Sequence, residues 1–92
     1  MKYKIEFSEE KNEILKQLRG IGFEEIAEFI RNNKIISDEK HHNSKRYPRQ
    51  RILIVEIKSY IYAVPYIVDE KRKVWFLKTI YPSRKLTKKY AK

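Results

Sequence analysis

Apolar residues repeat with two different periods along this chain, one typical of helices and one typical of strands. Residues 3–7 (YKIEF) alternate in polarity and predict a short first strand. Ser8 then has the side chain of a helix N-cap, and Glu9 and Glu10 suit the positive end of a helix. We therefore expect the first helix to begin after Ser8 and to run to about Arg19.

A second helix is predicted after a short link that contains both glycines of the chain. Ile14, Leu15 and Leu18 form the predicted apolar stripe of the first helix, and Gly20 supplies its end. Apolar residues then recur at i, i+3, i+4 and i+7 up to about Asn33, namely Phe23, Ile26, Ala27 and Ile30. The tight link over 20–22 predicts a helical hairpin.

The second half of the chain is rich in β-branched and aromatic residues, which favour strands. Three runs predict strands that short connections join into an antiparallel meander: RILIVEI (51–57), YIYAVPYIV (60–68) and KVWFLKTIY (73–81). Pro65 predicts a bulge or a local gap in its strand, since proline donates no backbone hydrogen bond. Tyr60, Tyr62 and Tyr66 share one strand face, where packing is the default interpretation and base stacking the alternative. Trp75 and Phe76 are predicted core residues.

The order of these elements, β-α-α-β-β-β, predicts a single α+β domain over 1–92. Its two-helix hairpin is expected to pack on one face of a mainly antiparallel four-stranded sheet. A strand could begin at 34–36, but DEKHHNSKRYPRQ (38–50) lacks apolar periodicity and predicts a polar, mobile loop. The basic tail, PSRKLTKKYAK, ends the chain.

The charge distribution adds a candidate partner. The formal net charge is +10, but residues 1–33 carry six basic and seven acidic residues, whereas residues 34–92 carry sixteen and five. Basic residues interleaved with aromatic ones favour nucleic acid, because phosphates attract the cations and bases can stack on the rings. A solvated, lysine-rich surface is the alternative interpretation.

Composition also narrows the chemistry and the expected compartment. The chain has no cysteine, which excludes disulfides, thiol catalysis and cysteine-ligated zinc and favours a reducing compartment. The first residues contain no apolar run typical of a secretory signal, and no segment approaches the length of a membrane span. We therefore expect a cytoplasmic protein that does not bind a membrane.

No cofactor is predicted, because the sequence contains neither a metal-ligand motif nor a glycine-rich phosphate loop. His41 and His42 are adjacent and would point apart on an extended chain. Arg, Lys, Tyr and His suffice for one reaction, the cleavage of RNA by its own 2′-hydroxyl. That reaction needs a base, an acid and cations that hold the charge developing on phosphorus.

Two basic clusters are candidate sites. KRYPRQR (45–51) places four cations around a tyrosine and a proline. Either His41 or His42 could act as acid or base, although a surface pair in a polar loop is the default interpretation. The second cluster spans 78–85, where Lys78 interrupts an apolar strand. Lys78 and Tyr81 have opposite parity, so they can share a face only if the strand contains a bulge.

Three segments carry a resemblance to a known family: F-x-x-E-K-N at 7–12, R-G-I-G-F-E-E-I at 19–26 and L-K-T-I-Y-P-S-R-K at 77–85. Together with the order of the elements, they resemble the BrnT-like toxins of type II toxin–antitoxin systems, within the RelE/ParE superfamily. The resemblance implies a toxin that cleaves RNA without a metal ion and is neutralised by a cognate antitoxin. It also implies that operator DNA is bound only through the antitoxin.

The resemblance assigns Arg84 to the arginine that follows the last strand in this family, whereas Arg49, Arg51 and the 41–47 segment fit by location only. The candidate catalytic residues are therefore Arg84, Lys78, Tyr81, His42 and Arg51. The candidate RNA-binding residues are Lys45, Arg46, Tyr47, Arg49, Lys85 and Lys88. Two alternatives stay open, a ParE-like toxin that acts on gyrase without nuclease activity and a non-catalytic RNA-binding module.

Overall fold

The computed structural model describes residues 2–90, so Met1, Ala91 and Lys92, the ends of the predicted domain and of its basic tail, lie outside the described residues. It shows an α+β fold whose elements follow one another in this order: β1 (Lys4–Phe7), α1 (Glu9–Arg19), α2 (Phe23–Arg31), β2 (Ser37–Lys40), β3 (Gln50–Ile57), β4 (Tyr60–Asp69), β5 (Val74–Leu77), β6 (Tyr81–Pro82) and α3 (Arg84–Tyr90).

Local signals set the bounds of α1 as the sequence predicts. The Ser8 hydroxyl accepts a hydrogen bond from the Lys11 N–H, and Gly20 ends the helix in the left-handed region at φ 69°. The predicted apolar stripe is wrong in part. Leu15 is buried in the main core, but Ile14 is 45% and Leu18 74% exposed, so only one residue of the stripe packs against that core.

The strands form one mixed sheet of six, not the predicted four. Its order is β1-β5-β4-β3-β2, and β6 pairs with β4 beyond the end of β5. The meander β3-β4-β5 is antiparallel as expected, with Lys58 and Ser59 both at positive φ in the turn between β3 and β4. β1 runs parallel to β5, which makes the sheet mixed.

Two further elements differ from the prediction. The segment predicted as a mobile loop over 38–50 contributes Asp38–Lys40 to β2 and Gln50 to β3, so the connecting loop is only 41–49. The basic tail forms α3 over most of its length. β2 contains no apolar residue and α3 contains only Leu86 and Tyr90, so each element is formed by pairing or packing against the sheet.

The sheet has a helix layer on each side. On one face, here called the hairpin face, α1 and α2 cover the main core, whose sheet side is formed by Leu53, Val55, Ile57, Val64, Tyr66 and Leu77. On the other, here called the α3 face, Leu86 and Tyr90 of α3 pack against a smaller cluster of Ile54, Ile61 and Ala63. The predicted two-layer arrangement is therefore incomplete, because α3 forms a third layer.

Candidate nucleic-acid interface

A one-residue bulge lies at the start of the predicted second basic cluster. Tyr66 pairs with Leu77 and Ala63 pairs with Tyr81, so three steps along β4 match four steps along the partner strand. The Lys78 N–H donates to the Pro65 carbonyl oxygen at 2.8 Å, within this bulge. The bulge predicted at Pro65 therefore exists, but the extra residue belongs to the partner strand.

The bulge reverses the parity of the strand and so puts Lys78 and Tyr81 on the same face. Leu77 and the next buried residue, Ile80, both belong to the core of the hairpin face. Tyr81 pairs with Ala63, which belongs to the α3 face. Lys78 and Tyr81, both exposed, therefore lie on the α3 face.

The third residue of this group, Arg84, is the first residue of α3. The Ser83 hydroxyl accepts from the Leu86 N–H at 3.1 Å, and the Thr87 hydroxyl accepts from the Ile61 N–H at 3.0 Å, which ties α3 to β4. Since Leu86 and Tyr90 occupy the inner side of the helix, its four cations are exposed on the outer side: Arg84, Lys85, Lys88 and Lys89. The result is a cationic ridge along α3, which begins two residues after Pro82, the end of β6.

The loop between β2 and β3 is a separate basic cluster. The His41 ring stacks on His42 with centroids 4.3 Å apart and lies 4.8 Å from the Tyr47 ring, while the Asn43 N–H donates to His41 Nδ1. The Arg46 guanidinium lies 5.5 Å from the centre of the Tyr47 ring. The other polar side chains of the loop are exposed, including His42, Lys45 and Arg49.

The loop and the start of α3 lie at opposite ends of the sheet. The Ser83 N–H donates to the Ile61 carbonyl oxygen, whereas the loop leads into Gln50, the first residue of β3, which pairs with Ile67. Six residues of antiparallel strand span about 20 Å. His42 and Arg84 are therefore too far apart to contact the same phosphate, although one bound RNA strand could reach both clusters.

Arg51 is also apart from the Lys78, Tyr81 and Arg84 group, because it lies on the hairpin face. Its Nε donates to Asp38 Oδ1 at 3.0 Å, and one terminal nitrogen donates to the Asp38 carbonyl oxygen at 3.1 Å. The buried Tyr66 hydroxyl donates to the same carboxylate at 2.8 and 2.9 Å to its two oxygens. Burial, reinforced by this carboxylate, raises the pKa of Tyr66 above its ordinary value of 10.0.

Sequence reasoning missed Asp38 because it falls in a run, Ser37–Lys40, that contains no apolar residue. Its strand exists through pairing with β3, and the register sets Asp38 opposite Leu53. The only signal in the sequence is that Asp38 and Lys40 are two residues apart and would share a face if the segment were a strand. Without apolar residues between them, this spacing does not predict a strand.

The candidate phosphate-binding cations are unpaired. Over residues 2–90, the salt bridges use other basic residues or, in one case, Arg51, and none involves the remaining basic candidates: Lys45, Arg46, Arg49, Lys78, Arg84, Lys85 and Lys88. A cation without a carboxylate partner can neutralise a phosphate without first losing an ion pair. The charge asymmetry seen in the sequence therefore becomes two exposed basic clusters.

Fold and surface together define the class of this chain, an α+β protein with a mixed six-stranded sheet and a cationic helix packed across one face. No family model, curated protein or solved structure matches it. Within residues 2–90, no group of three or more His, Asp or Glu side chains could hold a metal ion, and no helix is both long enough and apolar enough to cross a membrane.

Proposed function

We propose that this protein is the toxin of a type II toxin–antitoxin system and acts as a metal-independent RNA endonuclease that inhibits translation. The observation that carries the proposal is that Lys78 and Tyr81 are exposed on the sheet face on which α3 packs, and that the exposed Arg84 begins α3 directly after β6. Their side chains are those that cleavage by the 2′-hydroxyl of RNA requires.

In the proposed reaction, the 2′-oxygen attacks phosphorus and the bond from phosphorus to the 5′-oxygen breaks. The 2′-proton passes to a base, and the 5′-oxygen receives a proton from an acid. Arg84 suits the phosphorane, because its planar fork matches two phosphate oxygens, and Lys78 adds a second positive charge. Among Lys78, Tyr81 and Arg84, Tyr81 supplies a hydroxyl that can accept or donate a proton in this reaction.

The other two candidate catalytic residues have different tasks in this proposal. His42 belongs to the loop about 20 Å along the sheet, where it and the loop cations can hold a more distant part of the same RNA strand. Arg51 orients Asp38 and supports the buried Tyr66 hydroxyl on the opposite face. The chemistry is thereby assigned to Lys78, Tyr81 and Arg84.

Incubation of the purified protein with RNA in the presence of EDTA tests the proposal. Cleavage that resists EDTA and leaves 2′,3′-cyclic phosphate ends is the expected result. Intact RNA together with inhibition of DNA supercoiling by gyrase would instead indicate a ParE-like toxin. Intact RNA that is nevertheless bound would indicate a non-catalytic RNA-binding module. Either of these outcomes contradicts the proposed reaction.

A further inference from the structure

Phe76 is an exposed aromatic residue in the middle of a sheet. It was predicted to be a core residue, and that prediction is wrong, because its side chain is 37% exposed. Its neighbours along β5, Trp75 and Leu77, face the main core, so Phe76 projects from the α3 face. Tyr81 is 39% exposed and lies on the same face. Over residues 2–90, Phe76 and Tyr81 are the two most exposed large aromatic side chains.

The two rings have a cation between them. Phe76 pairs with Ile67 of β4 and Tyr81 with Ala63, which are four residues apart, or about 13 Å along the strand. Lys78 lies between these positions, where its N–H bonds Pro65. About four nucleotides at the spacing of a stacked strand cover this distance, and fewer when the strand is extended.

Two carboxylates lie near Phe76, since Glu6 and Glu9 both line a surface pocket with it. Glu6 of β1 pairs with Phe76 across the sheet and is the nearest carboxylate in that register. The Arg72 guanidinium holds it at 3.0 Å, so its charge is already compensated. On the side of Tyr81, the next charged residues along the chain are Arg84 and Lys85 of the cationic ridge.

We propose that Phe76 and Tyr81 form a stacking platform for single-stranded RNA, on which one base stacks on each ring and Lys78 holds a phosphate between them. The proposal deepens the function given above and rests on RNA being the ligand. Single strands fit this surface because their bases can be splayed onto aromatic rings. In a duplex the faces of the bases are already stacked on each other, so the platform should discriminate against it.

Binding of a 2′-O-methyl oligoribonucleotide, which lacks the attacking hydroxyl and stays uncleaved, tests the platform separately from cleavage. Phe76→Leu and Tyr81→Leu should each weaken binding of the single strand by about tenfold or more. Their slope of log affinity against log salt should stay that of the wild type, since neither variant removes a charge. The wild type should bind the matching duplex more weakly than the single strand.

Matched variants separate stacking from other effects. Phe76→Trp and Tyr81→Phe keep a ring and should retain affinity, whereas Leu18→Ala removes an exposed apolar side chain from α1 and should change nothing. Wild-type affinity in folded Phe76→Leu and Tyr81→Leu proteins, or equal affinity for duplex and single strand, overturns the platform. Ring-dependent binding of an RNA that stays intact when unmodified supports the platform and overturns the nuclease.

Discussion

The Tyr66 hydroxyl is buried on the hairpin face and has the Asp38 carboxylate as its acceptor. The sequence places Tyr66 on the correct strand face beside Tyr60 and Tyr62, and its ring lies in the core as the default interpretation predicts. What strand periodicity does not reveal is its partner, 28 residues away on β2. This contact makes Tyr66 the clearest source of pH-dependent stability among the described residues.

We predict that the stability contributed by the Tyr66 hydroxyl is lost in alkali. The folded-state pKa lies above the ordinary value of 10.0, so the contribution is complete below about pH 10 and declines as the pH rises toward the raised value. Tyr66→Phe should lower the free energy of unfolding by about 1 kcal/mol at neutral pH. Urea titrations over a range of pH measure the difference in the free energy of unfolding between wild type and variant. This difference should decrease above about pH 10, and a difference that stays constant would contradict this account.

Arg84 carries the sharpest prediction about activity. Because its fork is assigned to the phosphorane, Arg84→Ala should slow cleavage by about 100- to 1000-fold without unfolding the protein. Arg84→Lys should restore only part of the rate, since an ammonium keeps the charge and loses the two parallel hydrogen bonds. Arg19→Ala, which removes an exposed arginine from α1, is the matched control. Wild-type cleavage by folded Arg84→Ala would mean that the neighbouring lysines replace it.

At the scale of elements, the helical hairpin depends on one buried polar side chain. Asn12 of α1 is 0% exposed, and its Oδ1 accepts from the Phe23 N–H at 2.7 Å while its Nδ2 donates to Glu24. Gly22, the N-cap of α2, has no side chain for this task, and a Cβ there would lie 2.9 Å from Asn12 Oδ1. One helix thus caps the next.

We therefore predict that Asn12→Ala lowers the free energy of unfolding by about 1–3 kcal/mol, because the buried Phe23 N–H loses its acceptor. Gln17→Ala, at an exposed position of the same helix, should have little effect. Chemical denaturation of the three proteins gives the comparison. An equal effect of both substitutions would show that helix propensity, and not the cap, is what the Asn12 variant reports.

At the scale of the whole molecule, the two sides of the sheet carry different charge. α1 and α2 carry six glutamates, whereas α3 and the loop over 41–49 carry basic residues and no acidic ones. We predict that RNA affinity falls steeply with salt, with a slope of about −0.7 for each phosphate neutralised. Substitution of Lys85 and Lys88 by alanine should make this slope shallower, whereas Arg19→Ala should leave it unchanged. An RNA affinity of the wild type that does not change with salt would exclude phosphate contacts as the main mode of binding.

The same asymmetry predicts where an inhibitory partner binds. We expect the proposed antitoxin to cover the cationic ridge of α3 or the loop over 41–49 with an acidic segment, because opposite charge speeds the encounter of the two proteins. Mapping of the interface by amide hydrogen exchange checks this expectation. Protection confined to α1 and α2 would contradict it, since that side of the molecule carries no excess of positive charge.

The sequence by itself determined β1, α1, α2, β3 and β4, because their signals are local. A capping serine, a terminal glycine, helical periodicity and β-branched runs act over a few residues. The run predicted as one strand over 73–81 is instead divided by the bulge into β5 and β6. Tertiary structure decided β2, whose residues gain strand structure only by pairing with β3, and α3, which is seven residues long and held by Leu86 and Tyr90.

The candidate site shows the same division. The sequence identifies Lys78, Tyr81 and Arg84 as a basic cluster and shows that Lys78 and Tyr81 can share a face only if a bulge intervenes. Whether that bulge exists depends on the register that β4 imposes on both β5 and β6. The exposure of Phe76 and the separation of Arg51 from this group were decided in the same way, because the pattern within a strand does not show how much of each sheet face the helices cover or which strand lies beside it.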